Sequence, residues 1–380
     1  MMSEAVEPFE YRVPQEALDD LHARIDMARW PEREAVDDWT QGVPLAALKD
    51  FVAYWRHEYD WRKCEDWLNA LGLYTTTIDG VAIRFLHVRS KHEGASPLIM
   101  THGWPGSILE FRGVIDALTD PEAHGGSAAD AFHLVIPCLP GFGLSGKPER
   151  HGWGVEKIAR GWGVLMARLG YARWFAQGGD WGAIVTSQIG MQAVEGCAGI
   201  HVNMPIARPL PEDLANPSPA ELKALGALKY YQDWDSGYSK EQSTRPQTIG
   251  YSLVDSPVGL AGWIYEKMWA WTDNDGMPES ALSRDAMLDN IMLYWLPAAG
   301  ASSARLYWES FGNAAGGDIA MPVAVSAFPK EVLPTPRKWM ERHCARIVHW
   351  GEMEKGGHFA AWEQPAAFVG ELRTAFAHMR

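Results

Sequence analysis

One hexapeptide has residue types suited to covalent chemistry, Gln177-Gly178-Gly179-Asp180-Trp181-Gly182. It follows a short apolar run, Trp174–Gln177, and precedes the helix-compatible stretch Ala183–Gly190. Strand, tight turn and helix are the setting of a nucleophile elbow, G-x-Nuc-x-G. Its small flanking residues let the chain turn sharply enough to present one side chain at the top edge of a sheet. Asp180 occupies the nucleophile slot, and no G-x-S-x-G occurs, which disfavours the corresponding serine chemistry. The pentapeptide also suits an ordinary β–α turn with Asp180 as helix N-cap, so other residues must decide.

Thr101-His102-Gly103-Trp104-Pro105-Gly106-Ser107 follows the strand candidate Leu98–Thr101, where such a sheet places an oxyanion hole. The expected donors are the backbone N–H groups of Trp104 and of Trp181, the residue after the nucleophile; Pro105 has none to give. His102 reads as a loop brace. Near the C-terminus, Gly356-Gly357-His358-Phe359-Ala360 offers an imidazole whose ordinary pKa suits a general base at neutral pH. His343 and His349 are rivals, and chain order favours His358. The order nucleophile, acid, histidine asks for a carboxylate after a late strand, and Phe328-Pro329-Lys330-Glu331 supplies Glu331.

These residues need a sheet to position them. Before residue 73 the apolar spacing is helical, through Leu18, Leu21, Ile25 and Ala28 and again through Leu45, Leu48, Val52 and Trp55. Runs Tyr74–Ile78 and Val81–Val88 flank Asp79-Gly80, a two-residue hairpin signal. Further strands are expected at Leu98–Thr101, Phe132–Ile136, Trp174–Gln177, Ile200–Asn203, Val323–Ser326 and Ile347–His349. Helical stretches separate the early ones, which predicts an α/β fold with a mostly parallel, doubly wound sheet. Between about Ala207 and Gly317 helices replace strands. The expected organisation is a helical N-terminal region (1–73), a sheet domain in two parts (74–206 and 318–380) and an inserted helical cap (207–317).

Composition excludes several classes. The 380 residues carry a formal net charge of −14 with no basic block, against nucleic acid or anionic membrane as partners. Four dispersed cysteines, an acidic N-terminus and the lack of an 18-residue apolar run predict a cytoplasmic protein without a membrane anchor. There is no HExxH, paired CxxC or complete GxGxxG after a strand, so no metal or organic cofactor is expected. Gly141-Phe142-Gly143-Leu144-Ser145-Gly146 is a loop candidate near the site entrance. Nineteen tryptophans are an excess. Trp104 and Trp181 are assigned to the pocket wall, Trp234, Trp263, Trp269, Trp271, Trp295 and Trp308 to an apolar cap underside. Trp30, Trp39, Trp55, Trp61 and Trp67 are assigned to packing of the N-terminal region on the main domain.

Together, HGWPGS, GGDWG, FPKE and GGHFAAWEQP resemble the epoxide hydrolase family of the α/β-hydrolase superfamily, in its microsomal-type branch. RVPQEALDDLHARIDMARWPE is similar to that branch's N-terminal region, so the likeness covers nearly the whole chain. It implies an α/β-hydrolase core and two cap tyrosines that hold and protonate an epoxide oxygen. By their surroundings these are Tyr238 and Tyr307, with Tyr230, Tyr231, Tyr251 and Tyr294 competing. It further implies attack by Asp180 on a small apolar epoxide, and hydrolysis of the resulting ester by water that His358, oriented by Glu331, activates. Two other readings are a haloalkane dehalogenase on the same fold and a non-catalytic ligand-binding protein. Nothing in the sequence forces a homodimer through the N-terminal helices.

Overall fold

The computed structural model describes residues 4–312 and 317–380. Nine strands form one sheet: β1 (Glu7–Pro8), β2 (Leu73–Ile78), β3 (Val81–Val88), β4 (Ser96–Thr101), β5 (Phe132–Pro137), β6 (Trp174–Gly178), β7 (Cys197–Val202), β8 (Val323–Ala327) and β9 (Ile347–Glu352). Their spatial order is β1-β2-β3-β5-β4-β6-β7-β8-β9. The first three strands and β5 pair antiparallel, and every pairing from β5 through β4 to β9 is parallel. This is the α/β-hydrolase fold.

Residue type explains which strands lie where. All of β5 and β6 is buried, as expected of parallel strands covered by helices on both faces. Strands β2 and β3 instead alternate in exposure along much of their length. Their turn places Asp79 and Gly80 at positive φ, the conformation a two-residue hairpin requires. The short strand β1 falls in the region expected to be helical, where it pairs with Thr75 and Tyr74.

No strand lies between β7 and β8 among the described residues, although these two are neighbours in the sheet. The prolines that punctuate this segment start its helices: Pro211–Ala215, Pro219–Tyr230, Pro246–Asp255 and Pro257–Trp271. Proline is tolerated there because the first helical N–H has no partner within the helix. Ser218, Ser256 and Ser283 cap helices through their hydroxyls.

The N-terminal helices, Gln15–Asp26, Leu45–His57 and Trp61–Leu71, reach the inserted helices as well as the sheet. Phe51 stacks on Tyr265 at 4.5 Å and Trp39 on Trp269 at 4.6 Å. Tyr54 and Tyr59 donate to Asp285 and Asp289. The expectation for Trp39 is therefore corrected: its stacking partner is a cap tryptophan.

Candidate active site

The loops that leave the carboxyl ends of β4, β6, β8 and β9 converge, the usual location of a site in a doubly wound sheet. Asp180, directly after β6, has φ 51° and ψ −129°, a conformation that costs a non-glycine residue about 1–3 kcal/mol. The turn is tight enough that a Cβ built on Gly182 would overlap the carbonyl of Thr101. The Asp180 side chain makes no N-cap hydrogen bond. Its Oδ1 instead accepts the Trp104 N–H at 2.8 Å, across Gly103, where any Cβ would collide with the carboxylate. No hydrogen bond runs from the Trp181 N–H to that carboxylate.

Nε2 of His358 lies 3.2 Å from Oδ2 of Asp180, outside hydrogen-bond alignment. On the other side of the ring, Nδ1 is 2.7 Å from Oε1 of Glu331. That same oxygen accepts the N–H of Val332 at 2.7 Å, which fixes the carboxylate against the ring. Burial alone would lower the His358 pKa, but the Glu331 charge and the contact with Asp180 carry it well above the usual value. The rival histidines are elsewhere: His349 pairs with Glu371, and His343 faces Asp318. His102 is buried, with Nδ1 against the Gly103 carbonyl and Nε2 accepting from Leu139 N–H. Burial lowers its pKa to about 4, so it braces the loop as a neutral ring.

Asp180 and His358 face a cavity of about 170 Å³ whose other walls include Trp181, Ile184, Tyr231, Tyr238, Trp271, Tyr307 and Leu333. The rings of Tyr238 and Tyr307 lie 5.8 Å apart, and Tyr238 stacks on Trp104 at 4.8 Å. Burial, with the Asp180 charge adding to it, raises both phenols well above 10, so both keep their protons at neutral pH. Of the competing tyrosines, Tyr230 and Tyr251 point outward, and Tyr294 donates to the Gly106 carbonyl at 2.7 Å. Tyr231 does enter the cavity, with its hydroxyl 3.4 Å from that of Tyr238. A larger concavity of about 690 Å³ lies at the amino ends of β6 and β7, bounded by Trp174 and Gly196, and holds no nucleophile–base pair.

Of the six cap tryptophans expected on an apolar underside, only Trp271 lines this cavity. Trp234 and Trp308 are 78% and 54% exposed, Trp263 bonds Gln242, Trp269 stacks on Trp39, and Trp295 packs under Arg24. Trp271 itself is fixed by its Nε1, which donates to Oδ2 of Asp235 at 2.7 Å. Asp235 also pairs with the buried Lys267, whose ammonium sits 4.7 Å above the Tyr238 ring. The Gly141 loop packs against cap residue Ser302, whose hydroxyl donates to the Gly141 carbonyl. No sequence motif singles out Asp235, Lys267 or Glu110.

Three comparisons bear on this arrangement. Residues 6–111 match a family profile described as the epoxide hydrolase N terminus, and residues 96–252 one described as the alpha/beta hydrolase fold. A protein of Stigmatella aurantiaca (strain DW4/3-1), provisionally named as an epoxide hydrolase, is 54% identical over 376 residues, 99% of this chain and 86% of that protein. Epoxide hydrolase 1 of Oryctolagus cuniculus is 34% identical over 406 residues, 97% of this chain and 88% of that protein. The solved structure of the Aspergillus niger epoxide hydrolase superposes with a TM-score of 0.89 at 30% identity, covering 100% of this chain and 98% of that one.

Proposed function

The chain belongs to the epoxide hydrolase family and is an enzyme that hydrolyses epoxides, and from that premise we propose that Asp180 is the nucleophile of a two-step covalent reaction. One observation carries the reading: a single carboxylate has one oxygen on the Trp104 N–H and the other against His358, in a cavity shared with Tyr238 and Tyr307. Oδ2 attacks a ring carbon, the C–O bond of the epoxide breaks, and the departing oxygen takes a proton from Tyr238 or Tyr307. Oδ1 becomes the carbonyl oxygen of the ester.

In the second step His358, oriented by Glu331, takes a proton from water as the water oxygen bonds the ester carbonyl carbon. The N–H groups of Trp104 and Trp181 stabilise the oxyanion. Alkylation also removes the Asp180 charge, one of the influences that raises the His358 pKa; the imidazolium proton then passes to the tyrosinate left by ring opening, and the neutral His358 can act as a base. Collapse releases a vicinal diol. A cavity of about 170 Å³ with aromatic and aliphatic walls suits a compact, apolar epoxide.

Among the described residues no helix is long and apolar enough to cross a membrane. Four free cysteines, Cys64, Cys138, Cys197 and Cys344, support the reading of a reducing, cytoplasmic setting. The test of the mechanism is one turnover in heavy-oxygen water. The label should enter Asp180 and leave the diol unlabelled; label in the diol alone would overturn the covalent scheme.

A further inference from the structure

Asp180 and His358 line a second, separate cavity. Its volume is about 10 Å³, the room one water molecule takes up, and its walls include Gly103, Trp104, Glu110, Gly179, Asn203 and Phe359. None of the cap residues that hold the substrate cavity borders it. The Asp180–His358 pair therefore separates a roomy apolar space from a polar one of single-water size.

Glu110 reaches this place because Gly106 leaves space: a Cβ built on Gly106 would overlap Oε1 of Glu110. Asn203, whose Oδ1 accepts from Gln177 Nε2 at 3.0 Å, forms another polar wall. The two-step reaction gives Glu110 no task, although its carboxyl, held by the backbone at Gly103 and Ser107, borders the same small cavity as Asp180 and His358.

We propose that the small cavity holds the hydrolytic water of the second step and that Glu110 positions this water for attack on the carbonyl carbon of the Asp180 ester. The proposal rests on the covalent reading of the reaction. The water gives one proton to Nε2 of His358, and its oxygen bonds the acyl carbon from the side opposite the substrate cavity. The tetrahedral oxyanion collapses with loss of the alkyl oxygen, which takes the proton from His358. The remaining proton of the Asp180 acid returns to His358, which restores the resting pair. Burial pushes the Glu110 carboxyl up to about 8, so at neutral pH it offers the water both a donor and an acceptor without adding a negative charge beside the ester.

The test uses Glu110→Ala, Glu110→Asp and Glu110→Gln, with His358→Gln as an independent control. Tryptophan fluorescence in single-turnover mixing separates ester formation from ester decay, and mass spectrometry measures the ester present at steady state. In Glu110→Ala and Glu110→Asp, ester formation should keep its wild-type rate while ester decay slows about 10- to 100-fold. KM should fall together with kcat, and the ester should accumulate. Glu110→Gln, which keeps a donor and an acceptor, should restore most of the decay rate. Equal slowing of both steps, or unchanged decay in folded variants, overturns the role of Glu110. Failure of His358→Gln to trap any ester overturns the covalent reading itself, whatever Glu110 does.

Discussion

The backbone carbonyl of Trp271 accepts the N–H of His358 at 2.9 Å, so the last residue of a cap helix holds the loop of the base. The two rings also meet edge to face at 5.0 Å. Cap and base are thus one mechanical unit.

Replacing Trp271 by Phe keeps that backbone bond but removes the N–H that Asp235 accepts. The loss of one charge-assisted hydrogen bond should lower stability by about 1.5–3 kcal/mol in urea unfolding. Lys267→Met, which leaves the Asp235 carboxylate buried without its cation, should cost more.

The two cap tyrosines share one task. Tyr307→Phe and Tyr238→Phe should each slow ester formation about 10- to 100-fold, and the double variant more than about 1000-fold, with ester decay little changed. The fluorescence of the nearby Trp104, Trp181 and Trp271 reports the first step directly. A double variant retaining wild-type ester formation would point to Tyr231 as the proton donor.

Gly182→Ala tests the turn itself. Its Cβ would meet a backbone carbonyl, which no rotamer change can relieve. The variant should lose more than about 3 kcal/mol of stability, read as a shift of the thermal midpoint, while Gly226→Ala, where nothing lies within 4 Å, should not.

His358 predicts a pH signature. Its folded pKa is raised, so its contribution to stability is complete below the unfolded value near 6.5 and is lost as pH rises through the higher folded value. Wild type should therefore lose more unfolding free energy than His358→Gln on going from pH 6 to alkaline pH. In Asp180→Asn, one source of that rise is gone, and the imidazole should titrate lower by NMR.

The grouping of Asp180, Glu331 and His358 was legible because each sits in a short loop after a strand, and strand order on a parallel sheet decides which loops meet. The strands themselves were legible from apolar runs bounded by turn residues. Cap orientation was not. Helix Arg284–Trp295 is buried on all sides from Met287 to Trp295, so no polar face shows which way a ring points. That is why the direction of Trp295 was not legible; Trp234 and Trp308 lie on other helices and face solvent. Glu110 left only an indirect trace, the small residue Gly106 four positions before it.

The inserted helices leave the sheet after β7 and return at β8, its immediate neighbour. Under the proposed mechanism this separates two evolutionary variables. Ring opening draws on residues of both the sheet domain and the insertion, whereas the groups proposed for ester hydrolysis, Asp180, His358, Glu331, Trp104 and Glu110, all come from the sheet domain. Drift in the insertion can therefore change which epoxides are opened while the side chains that regenerate the enzyme persist, provided the Trp271 carbonyl still meets the His358 N–H.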